Sequence, residues 1–437
     1  MRARLIQIIK ELSDKDLDLL HHLYLYRCLT IHQAREFIYR MSDRPEYEFY
    51  EDVVERLLEL GVVELVEYLP NDYVFFLTTN GVDIVRHTKE IPLEIFNPDT
   101  KIVKRGYYRA SELKMHTRLI NHQVSLNQFV LEFQEIARRD GLKWKYYDEK
   151  YVSQYLTIRP DGLIQLLDTD FFLEMDMGSE SKKQLIEKWD NYQSFIHSSE
   201  FRNNERNIIV LFILENVNNT DRRTDLVRYT AMSVIGNFFS DRFDMVIGSK
   251  EEILSHLFDS IIPDLNHKNT TKEEWLRALK EKHGFQVDYA EPLKKALNEG
   301  DYEFYIRKVN EKNKHIVVEN GRLQEYLLDD YSVRKLSVLN RIQFHATNAS
   351  MFQLKFKRRI AYIVVAPDEY TLYQDLKVTD SLFFDQVFFT TPKRLKERPF
   401  HEAVFQFDIE GGIYHFADTG LQQQVYEKNV NEIGVQT

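Results

Sequence analysis

A polar turn followed by two apolar segments constrains this chain more than any other feature. The turn is Arg159-Pro160-Asp161-Gly162, and Phe172-Leu173-Glu174-Met175-Asp176 follows after an apolar run. Pro, Asp and Gly together are typical of a turn that leads into a strand. We therefore expect two strands joined through residues 168–170, with Asp161 and Glu174 at the same end of the hairpin. A plain structural reading also exists, in which Asp161 only forms a turn and Glu174 and Asp176 lie at a solvated strand end.

Two convergent carboxylates are ligands that Mg²⁺ favours when it keeps several waters and a substrate phosphate. The hairpin sits in a longer series of predicted helices and strands. In chain order the series is helix 114–139, strand 142–146, strands 163–167 and 171–175, helix 178–197, strand 208–214, helix 224–238 and strand 243–247. Alternating helices and strands predict an α/β sandwich. This order and the two carboxylates resemble the core of PD-(D/E)XK nucleases, a restriction-endonuclease-like fold.

The resemblance implies roles for individual residues. Asp161 and Glu174 would bind Mg²⁺ or Mn²⁺, and Asp176 would be a third ligand or a base. Nucleases of this type carry a lysine two residues after the glutamate, where this chain has Asp176. Lys188, one helical turn before Tyr192, is the expected substitute cation, and the pair resembles the Gln-x-x-x-Tyr element of recombination-type nucleases.

The first 96 residues predict a winged helix-turn-helix. Ser13 and Thr30 are expected to cap the first two helices, a third helix ends at Gly61, and strands near 62–66 and 73–77 form the wing. The third helix is rich in Glu and Asp, and Arg56 is its only basic residue. Acidic helices are repelled by phosphates, so dimerisation or partner docking remains an alternative to DNA binding.

A basic segment interrupts an otherwise acidic chain, whose formal net charge is −11. Tyr107 and Tyr108 lie within this segment. Its basic members, the expected nucleic-acid-binding residues, are Lys101, Lys104, Arg105, Arg109, Lys114 and Arg118. Clustered Lys and Arg form the electrostatic footprint of nucleic-acid binding, although solvated surface explains such a cluster about equally well.

Length and composition limit the remaining possibilities. A chain of 437 residues predicts several domains, with expected limits at 1–96, 97–265 and 266–437. The single cysteine, Cys28, excludes an internal disulfide framework and favours a reducing cytoplasm. No apolar run is long enough to predict a membrane span. The chain also lacks a phosphate-binding glycine loop, a zinc-site spacing and the histidine triad of a relaxase, and the last third is expected to be an α/β extension.

Several short motifs follow one another in a fixed order. They are Leu77-Thr78-Thr79-Asn80-Gly81, His122 with Asn127, the Asp161 turn, the Phe-Leu-Glu-x-Asp-x-Gly-x-Glu segment that contains Glu174, and Lys188-x-x-x-Tyr192. Together they resemble the replication-relaxation family of plasmid and mobile-element proteins from Gram-positive bacteria. The resemblance implies DNA binding in replication or mobilisation, with other replication or transfer proteins as partners. Two hypotheses remain open: a metal-dependent nicking endonuclease, and a non-catalytic adaptor or regulator that uses the fold for docking. A homodimer through the winged helix is a further expectation.

Overall fold

The computed structural model describes residues 2–97, 102–148, 155–215, 219–290, 302–319, 322–378, 386–417 and 420–432. The chain divides into two compact units, Met1–Val152 and Ser153–Thr437. Both mix helices and strands, which confirms the expected mixed α/β class. The three domain ranges expected from the sequence are finer than this division and stay a prediction.

Unit 1 contains mostly helices around a small antiparallel sheet. Its helices are Arg2–Glu11, Asp14–Tyr26, Ile31–Gln33 continued by π-helical Ala34–Tyr39, Glu46–Phe49 continued by π-helical Tyr50–Val54 and by Glu55–Glu59, Thr79–Thr88, Ala110–Leu113 and Thr117–Arg139. Its strands are β1 (Leu29–Thr30), β2 (Val63–Leu69), β3 (Asp72–Leu77), β4 (Glu94–Asn97), β5 (Ile102–Arg105) and β6 (Trp144–Asp148). Strand β3 lies between β1 and β2.

The local signals expected in unit 1 are present. Ser13 and Thr30 each form a capping box at the start of their helices, which satisfies backbone N–H groups that lack a helical partner. Gly61 has φ +65° after the third helix, a left-handed conformation that glycine adopts without steric cost. Cys28 is fully buried and packs with Val74, as expected for a small core residue.

Unit 2 contains two mixed sheets and the helices around them. The strands near the Asp161 turn are β7 (Gly162–Leu166), β8 (Thr169–Asp176), β9 (Asn207–Leu214) and β10 (Phe243–Ser249). The remaining strands are β11 (Gln286–Tyr289), β12 (Phe304–Arg307), β13 (Val318–Glu319), β14 (Arg322–Leu323), β15 (Glu325–Asp330), β16 (Ala361–Val365), β17 (Val387–Thr390), β18 (Phe405–Phe407), β19 (Gly412–Ala417) and β20 (Gly420–Asn429).

The helices of unit 2 connect and cover these strands. They are Lys182–His197, Ser199–Asn203, Thr220–Ile235 with 3₁₀ Gly236–Phe238, Lys250–His256 continued by π-helical Leu257–Ile261 and by Ile262–Leu265, Thr270–Arg277 with π-helical Ala278–Lys282, Leu336–Phe356, Glu369–Val378, Pro392–Glu397, Phe400–Ala403 and 3₁₀ Val430–Glu432. None of the helices in the described residues is long and apolar enough to cross a membrane.

Strand directions decide where the Asp161 turn lies. Strand β7 pairs antiparallel with β8, and β8, β9 and β10 run parallel in that order. All eight residues of β8 are buried. The carboxyl end of β8 therefore meets the start of β7 at one edge, and this edge holds the expected carboxylates.

The second sheet has the order β11-β12-β15-β16-β17-β18-β19-β20. Strand β20 extends the sheet to Asn429 and the next residue, Val430, is fully buried, although Val425 and Tyr426 are exposed. Three consecutive glutamines and a charged end leave β20 without the apolar alternation that predicts a strand.

Buried polar contacts connect the elements around the first sheet of unit 2 with those around the second sheet. Arg228, on the helix after β9, lies 2.6 Å from the Asp375 carboxylate, and both side chains are almost fully buried. Asp244 of β10 accepts hydrogen bonds from the backbone N–H and the hydroxyl of Ser337 at 3.0 and 2.5 Å. Each of these contacts joins residues that are about 90 to 150 positions apart in the chain.

Candidate functional site

Asp161 lies directly before β7 and is fixed by two backbone contacts with β8. Its N–H donates to the Leu173 carbonyl at 2.9 Å, and its Oδ2 accepts from the Met175 N–H at 2.8 Å. These contacts bracket Glu174 in the sequence. The turn therefore places the Asp161 carboxylate beside the strand position that carries the second carboxylate.

Glu174 is the buried centre of the site, with 3 % of its surface exposed. Its Oε2 accepts from Lys188 Nζ at 2.8 Å and its Oε1 accepts from the Tyr192 hydroxyl at 2.5 Å. Burial raises the pKa of Glu174, and the negative charge of Asp161 adds to the rise, whereas the Lys188 ammonium opposes it. The structure thus brings together Asp161, Glu174 and the predicted substitute cation.

Helix Lys182–His197 supplies both partners of Glu174. Ser181 caps this helix and forms a capping box with Gln184. Because side chains four residues apart share a helix face, Lys188 and Tyr192 both reach β8. Burial alone would lower the pKa of Lys188, but the carboxylates of Glu174, Glu180 and Asp161 raise it above the ordinary lysine value.

Asp176 has a different set of contacts. Its Oδ2 accepts from Arg223 Nε at 2.5 Å and its Oδ1 accepts from Arg223 Nη2 at 2.9 Å. The side chains are 1 % and 8 % exposed, and Oδ1 also accepts from the Gly178 N–H at 3.0 Å. Both oxygens of Asp176 are thus used by a buried ion pair. Its role as a third metal ligand or base stays a prediction that these contacts do not favour.

Sequence reasoning gave no role to two residues of this region, Glu180 and Arg223, although Glu180 ends the Phe-Leu-Glu-x-Asp-x-Gly-x-Glu segment that starts at Phe172. Glu180 Oε1 lies 3.1 Å from Lys188 Nζ, and its Oε2 is buried with no hydrogen-bond partner among the described residues. Arg223 Nη1 donates to the Glu180 backbone carbonyl at 2.6 Å. Glu180 lies before the Lys188 helix, so helical spacing does not link it to Lys188. Arg223 lies 47 residues from Asp176, and no local pattern joins them.

The Glu174 carboxylate of this edge is already occupied by protein donors. Both of its oxygens accept hydrogen bonds, from Lys188 and from Tyr192, and across the described parts of the chain no three His, Cys, Asp or Glu side chains form a group that could hold a metal ion. A divalent cation at this edge would have Asp161 and Glu174 as its protein ligands, and it would have to displace a donor from Glu174. Mg²⁺ commonly binds through one or two carboxylates and completes its shell with water and phosphate oxygens.

The predicted nucleic-acid-binding residues lie in unit 1, and several are already paired. Lys114 Nζ is 2.7 Å from Glu64, and Arg105 forms an ion pair with Glu112. Arg109 and Arg118 are exposed. Lys101 lies outside the described residues, and the structure gives no side-chain environment for Lys104.

The third helix of unit 1, over residues 46–59, exposes more acidic than basic side chains. Arg56 donates from Nη1 and Nη2 to both carboxylate oxygens of Asp16, at 2.7 and 2.9 Å. Burial works against ionisation of Asp16, yet hydrogen bonds from Arg56 and Tyr39 lower its pKa overall. Tyr47 is 63 % exposed on the same helix. The surface of this helix is therefore acidic and partly aromatic.

Comparison with known proteins gives one match. A family model described as replication-relaxation matches residues 20–211. No curated protein and no solved structure matches the chain. The matched range begins within helix Asp14–Tyr26 and includes the later helices and the β2–β3 hairpin of unit 1, the Asp161 turn, the Glu174 strand and the Lys188 helix. Over residues 20–211, slightly less than half of its length, the chain is therefore similar to the replication-relaxation family.

Proposed function

We propose that this protein binds DNA in the replication or mobilisation of a plasmid or mobile element, and that it nicks DNA at the Asp161–Glu174 edge. The observation that supports this proposal is that Asp161, Glu174 and Lys188 lie close together where β8 ends and β7 begins. The family description supports a role in replication or relaxation. Unit 2 would use a PD-(D/E)XK-like core for this chemistry, within the domain range 97–265.

Each residue of the edge has a role that its contacts support. Asp161 and Glu174 would hold Mg²⁺ or Mn²⁺, and a bound ion of this kind polarises the phosphate and activates water. Lys188 would stabilise negative charge on the phosphate, as the missing lysine does in related folds. Tyr192 orients the Glu174 carboxylate through its hydroxyl hydrogen bond.

We place DNA binding by unit 1 in a winged helix-turn-helix spanning residues 1–96 and in the basic segment that follows it. The helices, the β2–β3 hairpin and the exposed Arg109 and Arg118 support this proposal. The third helix opposes it, because its exposed charges are mostly acidic. The hairpin and the basic segment are therefore the DNA contacts to test first, and homodimerisation through this module is a separate proposal.

The test is incubation of supercoiled plasmid and single-stranded oligonucleotides with the protein in Mg²⁺, Mn²⁺ or EDTA. We expect nicked circles with either metal, none in EDTA, and a rate at least about 100-fold lower in Asp161→Asn and Glu174→Gln. Asp168→Asn is the matched control, because Asp168 is exposed at the opposite end of the same hairpin. Equal cleavage by all variants would assign the activity to a contaminant and refute the site.

A second candidate function is a non-catalytic adaptor that uses this fold for DNA or protein docking. The observation in its favour is the buried Asp176–Arg223 pair at the position where nucleases carry their lysine. An adaptor predicts no cleavage by wild type in any metal, together with DNA binding that EDTA and Glu174→Gln leave unchanged. A gel-shift titration beside the nicking assay separates the two functions.

A further inference from the structure

Two carboxylates share the ammonium of Lys188. Its Nζ lies 2.8 Å from Glu174 Oε2 and 3.1 Å from Glu180 Oε1. Glu174 is on β8, whereas Glu180 lies in the segment that precedes the Lys188 helix. The lysine is therefore held from two directions, by a rigid strand and by a connecting segment.

The connecting segment is itself fixed by Arg223. The Nη1 of this arginine donates to the Glu180 carbonyl at 2.6 Å, while Nε and Nη2 bind the Asp176 carboxylate. All three nitrogens of the guanidinium are used, and the side chain is 8 % exposed. Because Arg guanidinium groups are planar and rigid, the position of Glu180 follows from the end of β8.

Glu180 has bonding capacity left over. Its Oε2 is buried and has no hydrogen-bond partner among the described residues, and a buried acceptor of this kind costs free energy when it is left unpaired. An ammonium carries three donors. Lys188 can thus strengthen its contact with Glu180 whenever Glu174 turns to another partner.

We propose that Glu180 is a positioning residue that keeps the Lys188 ammonium beside Asp161 and Glu174, and that the Asp176–Arg223 pair holds Glu180 in place. The inference rests on the proposed nuclease function and adds to it the residues that hold the Lys188 ammonium in place. Because the ammonium bonds to Glu180 as well, Glu174 can turn to a counterion without leaving Lys188 unpaired or displaced from the edge. Asp176 then has a structural purpose at the position where nucleases carry lysine.

Nicking kinetics give the first test. We expect Glu180→Gln to lower kcat about tenfold with KM changed less than about twofold, because Lys188 acts on the reacting phosphate rather than on overall DNA affinity. Glu180→Asp should recover part of the rate. The control is Glu187→Gln. Glu187 is exposed on the Lys188 helix, and its carboxylate lies 3.7 Å from Lys183 Nζ. A rise in KM alone, or equal losses in the control, would overturn the proposal.

A second measurement does not depend on cleavage. In protein labelled with ¹⁵N at lysine Nζ, we expect Lys188 to give a resolved ammonium signal, assigned by its disappearance in Lys188→Arg. Glu180→Gln and Arg223→Lys should shift or broaden that signal, whereas Glu187→Gln should not. If wild type fails to nick but the signal depends on Glu180, the nuclease function fails and the positioning role stands. If wild type nicks and Glu180→Gln changes neither rate nor signal, the positioning role fails alone.

Discussion

Lys188 and Lys272 occupy similar environments with different geometry. Each ammonium is near three carboxylates, which for Lys272 are Asp264, Glu303 and Asp330. Lys272 Nζ is bonded to Glu303, lies 3.1 Å from Asp264 and 3.9 Å from Asp330, and therefore contacts the whole set.

Lys188 leaves part of its carboxylate set unsatisfied. Its Nζ bonds to Glu174 Oε2 and Glu180 Oε1, but the second oxygen of Glu180 is buried with no partner among the described residues. The contrast teaches that composition alone does not separate a structural ion cluster from a reactive one. What separates them is whether the cation satisfies every carboxylate, because remaining acceptor capacity is what a ligand can use.

Replacing Lys272 should produce the largest loss of stability. Lys272→Met leaves three neighbouring carboxylates without their shared cation in a mostly buried cluster, and removal of one partner from such a pair typically costs about 3–5 kcal/mol. Urea unfolding followed by circular dichroism measures the change. A loss below about 1 kcal/mol would mean that water already screens this cluster and that the contrast between the lysines is wrong.

Replacing Lys188 should cost less and should become metal-dependent. In Lys188→Met, the ammonium no longer competes for Glu174, so Mg²⁺ should raise stability by about 2–3 kcal/mol at roughly 100 times its Kd. Thermal unfolding with Mg²⁺ or EDTA measures this effect, and the double variant Lys188→Met/Glu174→Gln, which lacks the Glu174 carboxylate, is the control that should show none. Equal Mg²⁺ effects on the single and double variants would mean that the ion binds elsewhere.

Removing one hydroxyl tests how firmly Glu174 is held. Tyr192→Phe deletes the hydrogen bond to Glu174 Oε1 and should lower the free energy of unfolding by about 1–2 kcal/mol, since the other partner stays buried. Tyr370→Phe, at an exposed position on helix Glu369–Val378 of the same unit, serves as a comparison for the loss of a phenol hydroxyl. Unchanged stability in Tyr192→Phe would indicate that water replaces the hydroxyl at Glu174.

The pH dependence of stability should reveal the Lys272 cluster. Burial raises the pKa of Glu303 from 4.5 to about 7, so the folded state binds a proton that the unfolded state has released. This contribution is fully present below about pH 4.5 and is lost as the pH rises through about 7. Melting temperatures of wild type and Glu303→Gln should therefore diverge by roughly 1–3 °C over this window. Parallel profiles would contradict the shift.

The sequence predicts those parts of the site that depend on local spacing. The turn at Asp161, the strand at Glu174 and the four-residue separation of Lys188 and Tyr192 follow from short patterns, and the structure brings these residues together. The partner of Asp176 could not be predicted in this way. Arg223 is 47 residues away on another helix, and only the parallel pairing of β8 and β9 brings that helix to the same edge.

The fold follows the same division between local and distant information. Strand β9 is a continuous apolar run that indicates a buried strand, and it lies where expected. The helix after β9 begins at Thr220, four residues before the expected start, because Asn219 caps it. Strand β20 is stabilised by pairing with β19, a contact that its own polar sequence does not signal.

The ion pair between Arg228 and Asp375 bears on which pieces of this protein can exist alone. A shortened chain that ended after Leu265 would keep Arg228 and Asp244 but lose Asp375 and Ser337, their buried partners. Without Asp375, Arg228 would either remain buried as an unpaired charge or become exposed to water. The region of unit 2 up to Leu265 thus relies on later residues for its folding, and limited proteolysis should release few stable fragments from unit 2.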